Sequence, residues 1–143
     1  MKEKHALMYM DIAETVAKQS YATRLKVGAV AVNDNRILSI GYNGTPPGWD
    51  NVCEYTVTSS NGSAPTIVTK PEVIHAEENC ILKMARDGQA AKGSDLFITH
   101  NPCYICAKMI ITSGIKKVWW RNHYRDDAGL DMLTKAKVEL ERI

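Results

Sequence analysis

Apolar positions along the chain change period several times, and each change marks an element. Over residues 4–19, Leu7, Met8, Met10, Ile12, Ala13 and Val16 recur at three- and four-residue spacing, the pattern of a helix with one apolar face. Val27-Gly28-Ala29-Val30-Ala31-Val32 then predicts a strand, Asn33, Asp34 and Asn35 a turn, and residues 37–42 a returning strand. Residues 50–71 are polar and irregular: Ser59-Ser60-Asn61-Gly62-Ser63 reads as a turn, and 66–69 as a brief extended run. Helical spacing returns from about 73–75 to 87 through Ala76, Cys80, Ile81, Met84 and Ala85, with Gly88 suited to end it. The unbroken run Leu96-Phe97-Ile98 within 95–99 suits a strand covered on both faces. Residues 103–114 follow as a helix, 115–120 as a strand and 127–136 as a helix.

The second half thus alternates strand, helix, strand, for which parallel pairing through crossovers is the natural solution. Trp119 and Trp120, adjacent on a strand, must face opposite sides, one toward the core and one toward a subunit or ligand. The 143 residues are enough for one domain, 1–143, with its own core. Hydrophobic residues at 45% and charged residues at 24% are ordinary globular values. A net charge of +2 is compatible with an anionic small molecule and gives no broad basic footprint for a nucleic acid. No run approaches the roughly 20 apolar residues of a membrane span, so no membrane partner is expected. With no secretory segment before its cysteines, the chain is expected in a reducing, cytoplasmic compartment.

Two stretches carry the chemistry: His75-Ala76-Glu77-Glu78-Asn79 and Pro102-Cys103-Tyr104-Ile105-Cys106. His75, Cys103 and Cys106 make a mixed nitrogen–thiolate tripod for zinc, and three protein ligands leave a fourth position open, the mark of a catalytic site. Glu77, two residues past the histidine, could reach a water at that position without being a ligand itself. Cys-x-x-Cys alone would equally serve a redox pair or half of a structural zinc site. The spacing differs from His-Glu-x-x-His, so a zinc protease has little support. Of the other cysteines, Cys80 falls on the apolar face of the same helix and Cys53 reads as a thiol without a metal.

His-x-Glu followed by Pro-Cys-x-x-Cys resembles the zinc-dependent cytidine/deoxycytidylate deaminase superfamily. Gly41-Tyr42-Asn43-Gly44-Thr45-Pro46, the insertion before His75 and Tyr124-Arg125-Asp126-Asp127 are similar to the deoxycytidylate deaminase branch. The residues give a water-activating zinc site; the resemblance says what the water attacks. It implies an α/β fold, a three-layer α-β-α sandwich around a mixed five-stranded sheet, with 137–143 as a closing strand. It also implies hydrolysis of dCMP to dUMP and ammonia, with Glu77 as proton carrier, Asn43 at the nucleotide sugar and Tyr124 over the base. Arg24 and Lys26, ahead of a strand that enters the site in this family, would meet the phosphate, with Arg121, His123 and Arg125 as weaker phosphate candidates. A homohexamer activated by dCTP and inhibited by dTTP is further implied, with Mg²⁺ screening the triphosphate and Gly41, Tyr42, Gly44 and Trp49 in an effector loop. The alternatives are a tRNA adenosine or other nucleobase deaminase and a non-catalytic zinc scaffold that binds nucleotides or partner subunits. The intact Glu77 argues against the scaffold.

Overall fold

In the computed structural model, which describes every residue except Arg125, the elements run α1 (Glu3–Ala17), β1 (Gly28–Asn33), β2 (Arg36–Tyr42), β3 (Glu54–Val57), β4 (Thr66–Thr69), α2 (Ala76–Arg86), β5 (Asp95–His100), α3 (Tyr104–Thr112), β6 (Lys117–Asn122), α4 (Ala128–Lys135) and β7 (Glu139–Arg142). Five strands form one mixed sheet in the order β2-β1-β5-β6-β7. β1 is antiparallel to both β2 and β5, whereas β5, β6 and β7 run parallel, joined by α3 and α4. The turn between β1 and β2 is carried by Asp34 and Asn35 at φ of 49° and 58°, left-handed positions that these residue types tolerate.

Strand alternation sorts the core into two layers. Val30, Val32, Phe97 and Trp119 pack with Tyr9, Met10 and Ala13 of α1 on one face. Ala29, Ala31, Leu96, Ile98 and Val118 pack with α2, α3 and α4 on the other, through Cys80, Met84, Ile110 and Leu133. The adjacent tryptophans divide as alternation requires. Trp119 stacks on Phe97 and donates its indole N–H to Asp95 Oδ2 at 2.9 Å, while Trp120 packs against the opposite cluster. The result is the expected three-layer α-β-α sandwich around a mixed five-stranded sheet, and the C-terminal segment closes it as a strand.

Residues 50–71 are more regular than their sequence suggests. β3 pairs with β4 as a separate antiparallel ribbon, with Glu54 opposite Thr69 and Val57 opposite Thr66. β3 shows no burial alternation, its residues being half-buried or exposed, so the periodicity that betrays a strand is missing. Among the described residues no helix is long and apolar enough to cross a membrane.

Candidate active site

Two helix N-termini converge beside the carboxyl end of β5. Residues 101–103 carry the chain from that end into α3, so that Cys103 is the N-cap residue and Cys106 lies in the first turn. The Cys103 sulfur accepts from the Cys106 backbone N–H at 3.4 Å. His75 is the N-cap residue of α2, and Glu77 sits in the first turn of that helix, 4% exposed. α2 lies close on β2 because residue 41 is glycine: a Cβ there would come within 2.6 Å of the Cys80 nitrogen and closer still to the Ala76 carbonyl. Gly41 is thus a buried strand position under α2, outside the cavity that Tyr42, Gly44 and Trp49 line.

The donor atoms of His75, Cys103 and Cys106 all lie within 4.8 Å of one another. His75 Nδ1 is 3.5 Å from the Cys103 sulfur and 3.4 Å from that of Cys106. Zinc bonds of about 2.0–2.1 Å to nitrogen and about 2.3 Å to sulfur, at tetrahedral angles, separate such atoms by about 3.5 Å. The donor set therefore fits zinc in both chemistry and spacing, with Nδ1 as the nitrogen ligand. Without the metal the two thiols are strongly unequal. The hydrogen bond from the Cys106 thiol holds the Cys103 thiol down at about 3 against the effect of burial, with His75 and the Cys106 backbone N–H helping. The same bond, then burial and the Glu77 charge, push Cys106 up. Cys103 is thus a ready thiolate, aided by the positive end of α3.

His75, Cys103 and Glu77 open into one pocket, with Cys106 buried behind them, and the pocket also receives Arg24, Asn43, Thr69, His100 and Tyr124. Asn43 spans the loop ahead of β1: its Oδ1 accepts from Val27 N–H at 2.8 Å and its Nδ2 donates to the Leu25 carbonyl at 2.8 Å. One N–H of that amide remains for a ligand. Tyr124 is set by Asn101, whose Oδ1 accepts from the Tyr124 backbone N–H at 2.7 Å and whose Nδ2 donates to the Asp126 carbonyl at 3.2 Å. The Arg24 guanidinium lies 6.0 Å from the Tyr124 ring centre, and His100 meets that ring edge-on at 6.1 Å. Burial lowers the pKa of His100, which favours the neutral ring, although the charge of Glu14 opposes this.

Three phosphate candidates are placed elsewhere. Lys26 is exposed and does not line the pocket. Arg121 is drawn to α1, with its Nη1 3.3 Å from Asp11 and 3.7 Å from Glu14. His123 pairs with Asp127 at 2.9 Å on the surface. Nearness to a strand end in sequence does not bring these three charges to the pocket lining. Arg125 lies outside the described residues. Tyr42, Gly44 and Trp49 line a separate cavity of about 310 Å³ with Lys83. Cys53 packs with Ala22 and Val73, away from the tripod, and burial raises its pKa.

Residues 3–121 match the model of the cytidine and deoxycytidylate deaminase zinc-binding region. The chain belongs to that deaminase family. It is 33% identical over 165 positions to the deoxycytidylate deaminase of Enterobacteria phage T4, covering 92% of this chain and 86% of the relative. It is 40% identical over 133 positions to the human deoxycytidylate deaminase, covering 91% and 70% respectively. Among solved structures it is similar to the dCMP deaminase of cyanophage S-TIM5 in complex with dCMP and dUMP. That match has 42% identity and a TM-score of 0.88, covering 100% of this chain and 99% of the other.

In this deaminase the sequence reading passed over Thr69, His100 and Asn101, which also line the pocket. Nothing in the residue types of His100 and Asn101 marks them in the sequence as more than the exit from a strand. Their position at a strand's carboxyl end, immediately before the metal-binding helix, was the available signal, since open α/β sheets place ligands there.

Proposed function

We propose that the protein hydrolyses the 4-amino group of dCMP, giving dUMP and ammonia, with zinc as its resident metal. The observation that carries this reading is the pocket that joins Glu77 and two members of the tripod, His75 and Cys103, to Arg24 and Tyr124, with Cys106 completing the donor set behind them. Zinc in the tripod supplies the Lewis acidity that makes water a nucleophile near neutral pH. Glu77 takes one proton from the attacking water and delivers it to N3 of cytosine, then takes the second from the new C4 hydroxyl and passes it to the departing amine. Its burial excludes bulk water from these transfers. Tyr124 covers the base, the remaining N–H of Asn43 meets the sugar, and Arg24 pairs with the 5′-phosphate.

The same reading assigns the cavity beside Tyr42, Gly44, Trp49 and Lys83 to an effector triphosphate, dCTP activating and dTTP inhibiting, with Mg²⁺ screening its charge. Large apolar side chains left exposed on α2 and α3, Leu82 and Ile105 at 52% and 60%, support assembly with further copies, as a hexamer.

Steady-state kinetics on cytosine, deoxycytidine, dCMP, CMP, single-stranded DNA and a tRNA anticodon stem test the substrate. The deoxy monophosphate should give the highest kcat/KM, well above deoxycytidine. Equal values for those two would remove the phosphate contact, and activity on tRNA adenosine alone would move the chain to another branch.

A further inference from the structure

The β3–β4 ribbon stands outside the main sheet and has no part in the chemistry above, yet its base holds Arg24 at two points. Glu54 and Thr69 are register partners across the ribbon. Glu54 Oε1 accepts from two successive backbone N–H groups, Thr23 at 2.9 Å and Arg24 at 3.1 Å. From the facing strand, Thr69 Oγ1 accepts from Arg24 Nη1 at 3.3 Å. The ribbon's base is itself tied down: Lys70 N–H donates to the Cys53 carbonyl at 2.8 Å, and the Cys53 side chain is buried with Ala22 and Val73. Those two contacts anchor it to the segment before Arg24 and to the approach to α2.

This arrangement has a physical consequence at the pocket. A free arginine loses substantial rotamer entropy when it grips an anion, and fixing it beforehand removes part of that cost. The hydrogen bonds to Glu54 are charge-assisted and fix the backbone from which the side chain springs. The guanidinium bond goes to a neutral hydroxyl, so it orients the group without cancelling its charge. Thr69 and Arg24 both line the pocket.

We propose that Glu54 is a positioning residue for recognition of the substrate's phosphate, and that the β3–β4 ribbon is the specificity element through which it acts on Arg24. The inference rests on the reading that the pocket takes a nucleoside monophosphate and that Arg24 meets the phosphate. Its test is the ratio of kcat/KM for dCMP to that for deoxycytidine in the wild type, Glu54→Ala and Glu54→Gln. The alanine variant should lower the ratio roughly tenfold, through KM for dCMP, on the scale of one charge-assisted hydrogen bond. Glutamine keeps an acceptor oxygen for both N–H groups and should restore most of the ratio. A general loosening of the fold would lower both substrates alike; an unchanged ratio in Glu54→Ala overturns the role of Glu54 and leaves the substrate reading standing. A wild type that does not prefer dCMP over deoxycytidine overturns both.

Discussion

Cys103 and Cys106 share one hydrogen bond and divide its consequences unequally, which gives the metal-free site a measurable signature. The Cys106 thiol draws the pKa of Cys103 well below the ordinary thiol value, which makes Cys103 the readier thiolate of the pair. Cys80 is fully buried against Ala31 and Ser39, and burial pushes its thiol up to about 11. Iodoacetamide at pH 6 should therefore modify Cys103 well before Cys80 in protein stripped of metal, and reloading zinc should protect Cys103. Mass spectrometry of the labelled peptides reads both. Equal labelling of the two, or no protection by zinc, would contradict the site. At this scale the sequence was legible where the spacing is local. His75 and Glu77 are two residues apart and Cys103 and Cys106 three, so their types and order carry the motif. Glu54 and Asn101 were not legible. Their hydrogen-bond partners lie 30 or 31 and 23 or 25 residues away, and neither residue type announces such a role. Arg121 failed in the other direction: its type suited a phosphate, but Asp11, 110 residues off, claims it.

Among the elements, α2 matters most, because it delivers both His75 and Glu77. Its distance from β2 is set by the absence of a side chain at residue 41. Gly41→Ala places a methyl group against backbone atoms of α2, which cannot rotate away as a side chain could. The expected cost is at least about 1–3 kcal/mol of stability, the range for overpacking a filled core. The displacement should also weaken zinc retention, because His75 starts the helix that is pushed. Thermal unfolding together with competition against a zinc chelator reads the two effects. A variant with wild-type stability and wild-type zinc retention would show that the close approach is dispensable. The helices and main-sheet strands were legible from periodicity because each buries one stripe or both faces. β3 was not, since a ribbon without a buried face leaves no alternation in its sequence.

The whole molecule presents its pocket beside the N-termini of α2 and α3 and a second cavity lined by the 44–49 loop, so the substrate and the proposed effector would occupy separate places. Sedimentation with and without dCTP and dTTP tests the assembly proposed for it. A hexamer whose activity rises with dCTP and falls with dTTP is expected, whereas a fully active monomer indifferent to both nucleotides would remove the regulatory reading. The order of the sheet was legible only in part. The parallel half followed from its strand–helix–strand alternation, while the insertion of β1 beside β5 depends on long-range pairing such as Ala29 with Ile98, which no local pattern encodes. In the proposed mechanism Glu77, beside a zinc held by three protein ligands, carries the protons for deamination of dCMP. The most direct measurement is dUMP formation by wild type and Glu77→Gln, with zinc determined on the same samples. Both proteins should hold about one zinc per chain, and the variant should turn over at least roughly 10²-fold more slowly. Near wild-type turnover by a zinc-loaded Glu77→Gln protein would contradict the account.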